Sequence, residues 1–403
     1  MDVVIPGHIG PPPHVRVRIP AHAGPPTFLS SIVAVGTGFD FSCALRGDGV
    51  AFCWGENLRG QLGDGTTIAS AVPVQVSTTI PFRQLFVGDQ IACGLDANDN
   101  AHCWGANLVG ELGAGIAEGT PSLVPAPVAA PHQFTSLSLG LRASCGMGVD
   151  GLAYCWGQNA NGDLGVGSAA PTINVPMPIL NSATVGLHAV NTSGLGPSCG
   201  LGTGNQVYCW GLDAGRFGNG TTANLRSAAP VPAANGMTFS SVHVSFGYTC
   251  GLTAAGEAYC WGTRNTFGEM GIGSTAAPVL LPTPAAAGLV FASLDEDDTN
   301  RSFKTTCGVT TSGEGWCWGA NIYGQLGAPS NEICTPNPSF NACSTSPVQI
   351  SGGIGFSRIA VGGDHACGVA VDGAVYCWGR NHVGQLGDGT LTDRAAPVPV
   401  LLN

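Results

Sequence analysis

The sequence predicts an all-β fold: a seven-bladed β-propeller with four-stranded antiparallel blades and a disulfide in each blade hairpin. The first observation is a unit of Cys, nine residues, Cys and Trp-Gly, which occurs seven times in 403 residues. Its first cysteines are 50 to 60 residues apart, a period typical of propellers and solenoids. The second observation is the turn chemistry inside the unit, and the third is a proline-containing strand that follows it.

The cysteine pairs fix the register of the predicted hairpins. If the nine residues form two strands joined by a three-residue loop, the two cysteines lie directly opposite each other. Their Cβ atoms are then about 4.5–5.5 Å apart, close to the separation that a disulfide needs. The predicted pairs are Cys43 with Cys53, Cys93 with Cys103, Cys145 with Cys155, Cys199 with Cys209, Cys250 with Cys260, Cys307 with Cys317, and Cys367 with Cys377.

The loop of each hairpin supports the same register. A three-residue hairpin loop favours a left-handed residue at its third position, so Gly, Asn or Asp is expected there. All seven units comply: the residues are Gly49, Asp99, Gly151, Asn205, Gly256, Gly313 and Gly373.

Two further strands complete each unit. Before the hairpin lies a Phe-x-x-apolar-x-apolar-Gly segment, as at 82–88, 134–140 and 356–362. After it comes a glycine-rich loop and a strand that contains proline, as at 72–74, 124–128 and 397–400. Proline cannot donate to a ladder, so the last strand is predicted at the sheet edge. Alternation makes both faces of the hairpin apolar, so neighbouring blades are expected to cover them.

One motif resembles a known family. The run Trp-Gly-x-Asn-x-x-Gly-Gln-Leu-Gly at 54–63, 318–327 and 378–387 resembles the regulator of chromosome condensation repeat. The resemblance covers roughly residues 28–402 and implies seven four-stranded blades. The fourth unit, 210–218, is one residue short and lacks the Leu, and the fifth has one extra residue before Asn265, so altered loops are expected in both blades.

Composition limits the classes of function. The chain has 14 Lys and Arg against 25 Asp and Glu, and Lys304 is the only lysine. A nucleic-acid binder would show a basic patch, and none is present in the sequence. The family's eukaryotic member acts on chromatin and a small nuclear GTPase, a role that this acidic chain is not expected to share. No apolar run is long enough for a transmembrane helix.

The cysteines predict an oxidising compartment. Cys334 and Cys343 form an eighth local pair in an insert at 328–346, so all sixteen cysteines have a partner nearby. Ten-residue separations in apolar hairpins do not suit a tetrahedral metal site. Residues 1–6 lack the regions of a signal peptide, and removal of a leader would reconcile this with secretion.

Residues 1–27 are predicted to form a proline-rich arm, separate from the propeller at 28–403. Within the arm, Val15, Val17 and Ile19 alternate with Arg16 and Arg18. The segment is either a flexible linker or a strand that adds to an exposed blade edge, in the same molecule or in a neighbouring subunit.

The search for chemistry yields no catalytic residue and no cofactor motif. No histidine recurs in register with a carboxylate and a nucleophile, and His102 and His365 are interpreted as structural. Clustered carboxylates can bind calcium, which makes Asp295, Asp297 and Asp298 weak metal candidates. The run lacks a ligand-spacing repeat, so a solvated loop is favoured.

These observations favour a secreted, non-enzymatic propeller that acts as a rigid scaffold for binding protein partners. The alternative is a structural subunit of an extracellular assembly, joined through the arm. A lesser alternative is a protein that binds or acts on a polysaccharide, which would need paired carboxylates in a cleft if it were an enzyme.

Overall fold

The computed structural model describes residues 2–5, 15–19, 27–129, 133–194, 196–223, 226–297, 303–337 and 339–402. Three short strands precede the ring: β1 (Asp2–Ile5), β2 (Val15–Arg18) and β3 (Thr27–Phe28). The strands of blade 1 are β4 (Ile32–Thr37), β5 (Phe41–Arg46), β6 (Ala51–Gly55) and β7 (Ala69–Gln75). Those of blade 2 are β8 (Phe82–Val87), β9 (Ile91–Asp96), β10 (Ala101–Gly105) and β11 (Ser122–Pro127).

The next three blades repeat this order. Blade 3 is formed by β12 (Phe134–Leu139), β13 (Ala143–Gly148), β14 (Ala153–Gln158) and β15 (Thr172–Pro178). Blade 4 is formed by β16 (Ala189–Thr192), β17 (Ser198–Leu201), β18 (Val207–Leu212) and β19 (Arg226–Pro232). Blade 5 is formed by β20 (Ser241–Val244), β21 (Tyr248–Leu252), β22 (Ala258–Gly262) and β23 (Val279–Ala285).

The last two blades complete the ring. Blade 6 contains β24 (Phe291–Glu296), β25 (Thr305–Thr310), β26 (Gly315–Ala320), the short β27 (Glu332–Ile333) of the insert and β28 (Ala342–Gln349). Blade 7 contains β29 (Phe356–Val361), β30 (His365–Ala370), β31 (Val375–Gly379) and β32 (Arg394–Pro399), followed by β33 (Leu401–Leu402). Helix is limited to α1 (Ser182–Val185) and two 3-10 turns, Thr203–Asn205 and Ala234–Gly236, in the described residues. None of these is long and apolar enough to span a membrane.

The predicted hairpin register is confirmed. In every blade the two cysteines are direct antiparallel partners, and they form a disulfide with Cα atoms 4.0–4.1 Å apart. The bonded pairs, in blade order, are Cys43 with Cys53, Cys93 with Cys103, Cys145 with Cys155, Cys199 with Cys209, Cys250 with Cys260, Cys307 with Cys317, and Cys367 with Cys377. Cys334 and Cys343 of the insert are also joined, with Cα atoms 6.0 Å apart. All eight predicted disulfides are therefore present.

The turns of the hairpins follow the prediction, and their cross-strand pairs are also regular. The seven predicted loop residues all have positive φ angles. In six blades the aromatic or His residue before the second cysteine faces a glycine, as Tyr376 faces Gly368. The hairpin is thus the most regular part of the repeat.

The cores lie between blades, as the two apolar faces of each hairpin predict. Each core packs the disulfide of one blade against the Trp of the next, and every one of these Trp side chains is fully buried. Between blades 1 and 2, for example, Cys43, Cys53 and Leu62 pack with Phe82 and Trp104. A blade therefore has no complete core of its own, and its stability depends on its neighbours.

The glycine-rich loop makes the contact that links one blade to the next. Its backbone carbonyl accepts a hydrogen bond from the indole N–H of the following Trp, as Gln325 O does from Trp378 at 3.0 Å. The last glycine of the loop, Gly327, lies against the same indole; a Cβ there would lie 2.9 Å from the ring. The equivalent bonds are made by Trp54, Trp104, Trp156, Trp261 and Trp318, at 2.9–3.0 Å.

The irregular fourth loop keeps its apolar anchor and its indole bond, because Arg216 O accepts from Trp261 at 3.0 Å. Phe217 is buried where the other loops have Leu or Met, and Asp213 accepts the backbone N–H bonds that Asn accepts elsewhere. The missing bond is that of the third loop: its Gly165 lies against the Trp210 ring, but the indole N–H of Trp210 has no hydrogen-bond partner in the described structure. In the fifth loop Asn265 keeps the usual contacts, and the extra residue lies before it.

The ring closes through the two ends of the propeller. β3 pairs antiparallel with β33, joining Thr27 to Leu402 and Phe28 to Leu401. Trp54 of blade 1 donates to Gln385 O of blade 7 at 2.9 Å, so this junction uses the same loop contact as the others. Each blade is built from consecutive strands, and no strand is exchanged between the ends of the chain in the described residues.

The arm adds to blade 1. β1 and β2 pair antiparallel, and β2 pairs parallel with β7, with Val17 opposite Ala69 and Arg18 opposite Ser70. The predicted edge position of the proline strand therefore holds in blades 2, 3, 4, 5 and 7 but is wrong for blade 1 and for blade 6, where β27 pairs with residues 342 and 343 of β28. The physical reason in blade 1 is that Pro73 lies beyond the two paired residues of β7, so its missing N–H does not prevent the pairing.

We expect Trp378→Phe to destabilise the protein more than Trp210→Phe. Both changes remove similar buried volume, but only Trp378 loses an indole hydrogen bond, which contributes about 1 kcal/mol. Urea denaturation under non-reducing conditions measures the difference. Equal losses in the two variants would contradict a stabilising role for the indole–carbonyl bond.

We expect Val17→Asp to release β2 from β7, because Val17 is fully buried against Ala69 and Ala71. Hydrogen exchange should then become faster at 15–19 and 69–70. Arg16→Asp is the matched control, since Arg16 is exposed in the same strand. The same exchange pattern in both variants would show that Val17 does not anchor the arm.

Candidate functional site

The inner strands of the blades line a central channel that contains a cavity of about 330 Å³. Polar and charged lining residues cluster on three consecutive blades, 5, 6 and 7. They are Ser241, His243, Ser293, Asp295, Glu296 and Arg358, and one further polar residue, Thr37, lines the cavity from blade 1. Blades 1 and 2 contribute mainly apolar side chains, including Val35, Leu85 and Val87. The channel therefore has one polar side and one largely apolar side.

Some channel side chains also brace neighbouring blades. Ser138, Asn191 and Asp295 occupy equivalent positions in their inner strands, and each accepts a backbone N–H bond from the inner strand of the next blade. The Asp295 Oδ2 atom accepts this bond from Val361 at 2.9 Å. Burial raises the pKa of Asp295 to about 6, although this hydrogen bond and the charge of Arg358 act in the opposite direction. Asp295 thus combines a structural bond with a carboxylate in the cavity lining.

The second surface of interest is the loop face, defined as the end of the ring that carries the turns after the inner strands and the long loops before the outer strands. Acidic side chains recur in the inner turns of this face: Asp40, Asp89, Asp297 and Asp364. Three of them have basic neighbours. Asp364 is paired with Arg380 at 3.0 Å, Asp297 with Lys304 at 3.3 Å, and Asp40 lies 3.8 Å from His382.

Asp89 differs from the other three. It is 1% exposed, and neither carboxylate oxygen has a hydrogen-bond partner in the described part of the chain. Burial raises its pKa to about 7, and repulsion from Asp297 adds to the rise, while Lys304 opposes it. The single lysine is fully buried and also donates to the backbone oxygen of Asp297 at 2.8 Å. Lys304 therefore forms an ion pair with Asp297 and also acts electrostatically on Asp89, so one cation stabilises two buried carboxylates.

The insert of blade 6 adds aromatic surface to the loop face. Phe303 stacks on Phe340 with ring centroids 5.2 Å apart, and its ring also contacts Tyr323. The guanidinium of Arg380 lies 4.7 Å from the centre of the Tyr323 ring, a cation–π distance. We call Phe303, Tyr323, Phe340 and Arg380 the insert cluster. Phe340 is 39% exposed, so the cluster presents an aromatic side chain to solvent.

The prediction of a solvated loop at 295–298 is wrong for its described part, because Asp295 and Glu296 belong to β24 and Asp297 is fully buried. Of the three metal candidates, Asp295 lies in the channel, Asp297 is enclosed with Lys304, and Asp298 lies outside the described residues. Among the described residues, one group of three has ligand atoms close enough for a metal: Glu332, Cys334 and Cys343. Its two sulfurs are bonded to each other, so that group does not offer thiolates.

The two histidines singled out in the sequence make local contacts. His102 Nε2 lies 3.3 Å from Asp96 Oδ2 in the same hairpin. His365 Nε2 lies 2.8 Å from Ser42 Oγ, across the junction of blades 7 and 1. This Ser–His pair was not foreseen, since no local spacing relates residues 323 positions apart. Both side chains are fully buried, so the pair stabilises ring closure and has no access to a substrate.

The comparisons with known proteins support both the repeat motif in the sequence and the propeller fold. The regulator of chromosome condensation (RCC1) repeat matches residues 48–95, 312–369 and 372–403, and a second form of the repeat matches 32–61 and 356–385. The chain therefore contains regulator of chromosome condensation repeats. The repeats match at both ends of this propeller, where the glycine-rich loops follow the full motif.

The similar proteins are of different kinds. The chain is 29% identical to the ultraviolet-B receptor UVR8 of Arabidopsis thaliana over 278 residues, 67% of this chain and 58% of the receptor, so it spans less than two thirds of that relative. Yeast RCC1 (Prp20), solved bound to Kap60, matches with a TM-score of 0.74 at 18% identity, covering 99% of this chain and 91% of that one. The ectodomain of the Physcomitrella patens receptor kinase CR4 matches with a TM-score of 0.53 at 20% identity, covering 87% and 74%. At these identities the structures show the shared fold.

We expect Asp89→Asn to stabilise the protein more at pH 8 than at pH 5. The pKa of Asp89 is raised to about 7 in the folded state, so its ionisation destabilises the fold increasingly between about pH 4 and pH 7, and the loss levels off above that. Linkage gives a difference of roughly 2 kcal/mol between the two pH values. Denaturant titrations at both pH values measure it.

Asp48→Asn is the control for this experiment. The pKa of Asp48 is lowered by its hydrogen bond to Arg46, so this group titrates below the window from pH 5 to pH 8. Its effect should be the same at both pH values. An Asp89→Asn effect that is equally independent of pH would contradict the raised pKa.

Proposed function

We propose that the chain is a secreted, non-enzymatic propeller that binds a protein partner on its loop face. The observation that carries the proposal is the insert cluster. It places a partly exposed aromatic side chain and an arginine beside the ion pairs of the inner turns, on one end of a ring in which every blade contains a disulfide. Aromatic and arginine side chains are enriched at the centres of protein interfaces.

The loops of the loop face are fixed by internal hydrogen bonds in the unbound protein. In blade 7 the side chain of Asn381 accepts the N–H of Leu386 at 3.0 Å and donates to the backbone oxygen of Thr390 at 3.1 Å. Equivalent Asn residues fix the loops of five other blades. Binding by preordered loops loses less conformational entropy than binding by mobile ones, which favours recognition.

The proposed location rests on the disulfides. All sixteen cysteines are paired in the described structure, and disulfides persist mainly in oxidising compartments. The CR4 structure is an ectodomain, which supports the view that this fold is compatible with the cell exterior. Protein binding is supported by yeast RCC1, which was solved in complex with Kap60.

A second candidate is a structural subunit of an extracellular assembly. The specific observation in its favour is β1, the outermost strand of a six-stranded sheet with the order β1-β2-β7-β6-β5-β4. One edge of β1 has no partner strand within the described chain, and an open edge can pair with a strand of another subunit. Polysaccharide binding stays a lesser alternative.

Site-specific photo-crosslinking tests the proposed face. A photoreactive phenylalanine analogue replaces Phe340 on the loop face or Val371 on the hairpin face, the opposite end of the ring; Val371 is 75% exposed. Each protein is irradiated in the medium of cells that secrete it. We expect a defined crosslinked protein from position 340 and none from position 371.

Three results would contradict the proposal. Crosslinking from 371 alone would place the interface on the hairpin face, and crosslinks solely to other copies of this chain would favour the assembly subunit. A protein that crosslinks from neither position, although both variants melt like the wild type, would remove the loop face as the binding surface.

A further inference from the structure

Arg358 and Asp295 on the polar side of the channel carry opposite charges but form no ion pair with each other. The two residues lie on the inner strands of neighbouring blades and line the same cavity. Yet no ion pair within 4.0 Å includes Arg358 in the described part of the chain. Arg358 is exposed, and Asp295 uses its Oδ2 atom for the bond to Val361.

Three other polar side chains that line the cavity with Arg358 and Asp295 also lack hydrogen-bond partners in the described chain. The side chains of Ser241, His243 and Ser293 line the same cavity and make no hydrogen bond among the described residues. Burial lowers the pKa of His243 to about 4, so its imidazole is neutral at pH 7 and can accept one hydrogen bond and donate another. Unpartnered polar groups in a partly enclosed cavity are costly unless water or a ligand satisfies them.

We propose that the channel cavity binds a small zwitterion, an α-amino acid, with its carboxylate on Arg358 and its ammonium group on Asp295. The guanidinium offers paired donors to a carboxylate, and the Asp295 carboxylate accepts from an ammonium group. The serine hydroxyls and the His243 imidazole lie on the same polar side. An aliphatic side chain would lie towards Val35, Leu85 and Val87, the apolar side of the cavity.

The charges favour a zwitterion over a neutral sugar or a singly charged ligand. Glu296 also lines the cavity but is only 5% exposed. A sugar would form hydrogen bonds but leave Arg358 and Asp295 without a counter-charge from the ligand. An amine or a carboxylate alone would neutralise one of them. The cavity of about 330 Å³ is within the usual size of small-molecule sites. This site is independent of the loop face, so its failure and that of the proposed protein interface are separate results.

Calorimetry with L-leucine tests the proposal, with 3-methylbutylamine, 4-methylpentanoate and glucose as comparison ligands. We expect leucine to bind the full chain and each comparison ligand to bind at least roughly tenfold more weakly. Arg358→Gln and Asp295→Asn should each weaken leucine binding by roughly tenfold or more. Asn at 295 retains an oxygen that can accept the Val361 N–H, so the brace between blades is preserved.

Arg142→Gln is the charge-matched control, because Arg142 is exposed in an inner turn of the loop face. It should leave leucine affinity unchanged. The proposal is overturned if leucine shows no binding up to about 10 mM, if glucose or either singly charged ligand binds as well as leucine, or if Arg142→Gln weakens binding as much as Arg358→Gln. Melting curves confirm that each variant is folded.

Discussion

The fold depends on one contact that is repeated around the ring: the indole N–H of a blade's Trp donates to a carbonyl in the glycine-rich loop of the blade before it. This bond couples three features of the repeat. The Trp covers the disulfide of the preceding blade, the loop carbonyl satisfies the buried indole N–H, and the final glycine allows the loop to approach the ring. A side chain at that glycine would force the loop away from the indole.

The same contact explains how the surfaces are positioned. Six of the seven loops accept a hydrogen bond from the next blade's Trp, and each loop is held internally by an Asn or, in blade 4, by Asp213. The loop face is therefore a set of fixed turns. The insert cluster is built on the loop of blade 6, whose carbonyl at Gln325 accepts from Trp378. The inner strands are held in register by side chains such as Asp295, which leaves a channel with polar residues on three neighbouring blades. Protein recognition on the loops and ligand binding in the channel therefore use different parts of one framework.

The sequence predicts what is local and repeated. The hairpin register follows from cysteine spacing and from the left-handed loop residues such as Asp99 and Asn205, because these constraints act over about ten residues. It does not predict which residues meet across blade junctions. Ser42 and His365, or Asp89 and Lys304, come together through ring closure and blade order, and no spacing in the chain marks them. The partner of the arm was also open, because alternation at 15–19 identifies a strand but not the edge that receives it.

The central claim is most directly tested by NMR of the tryptophan indole protons. In a protein labelled at the indole nitrogen, the signals of Trp54, Trp104, Trp156, Trp261, Trp318 and Trp378 should have hydrogen-bonded shifts and lose protection from exchange together as denaturant is added. The Trp210 signal should lack the shift of a hydrogen-bonded indole, although its ring is equally buried. If the six indoles exchange independently of one another, or if Trp210 cannot be distinguished from them, the blades are not coupled through the indole–carbonyl contact.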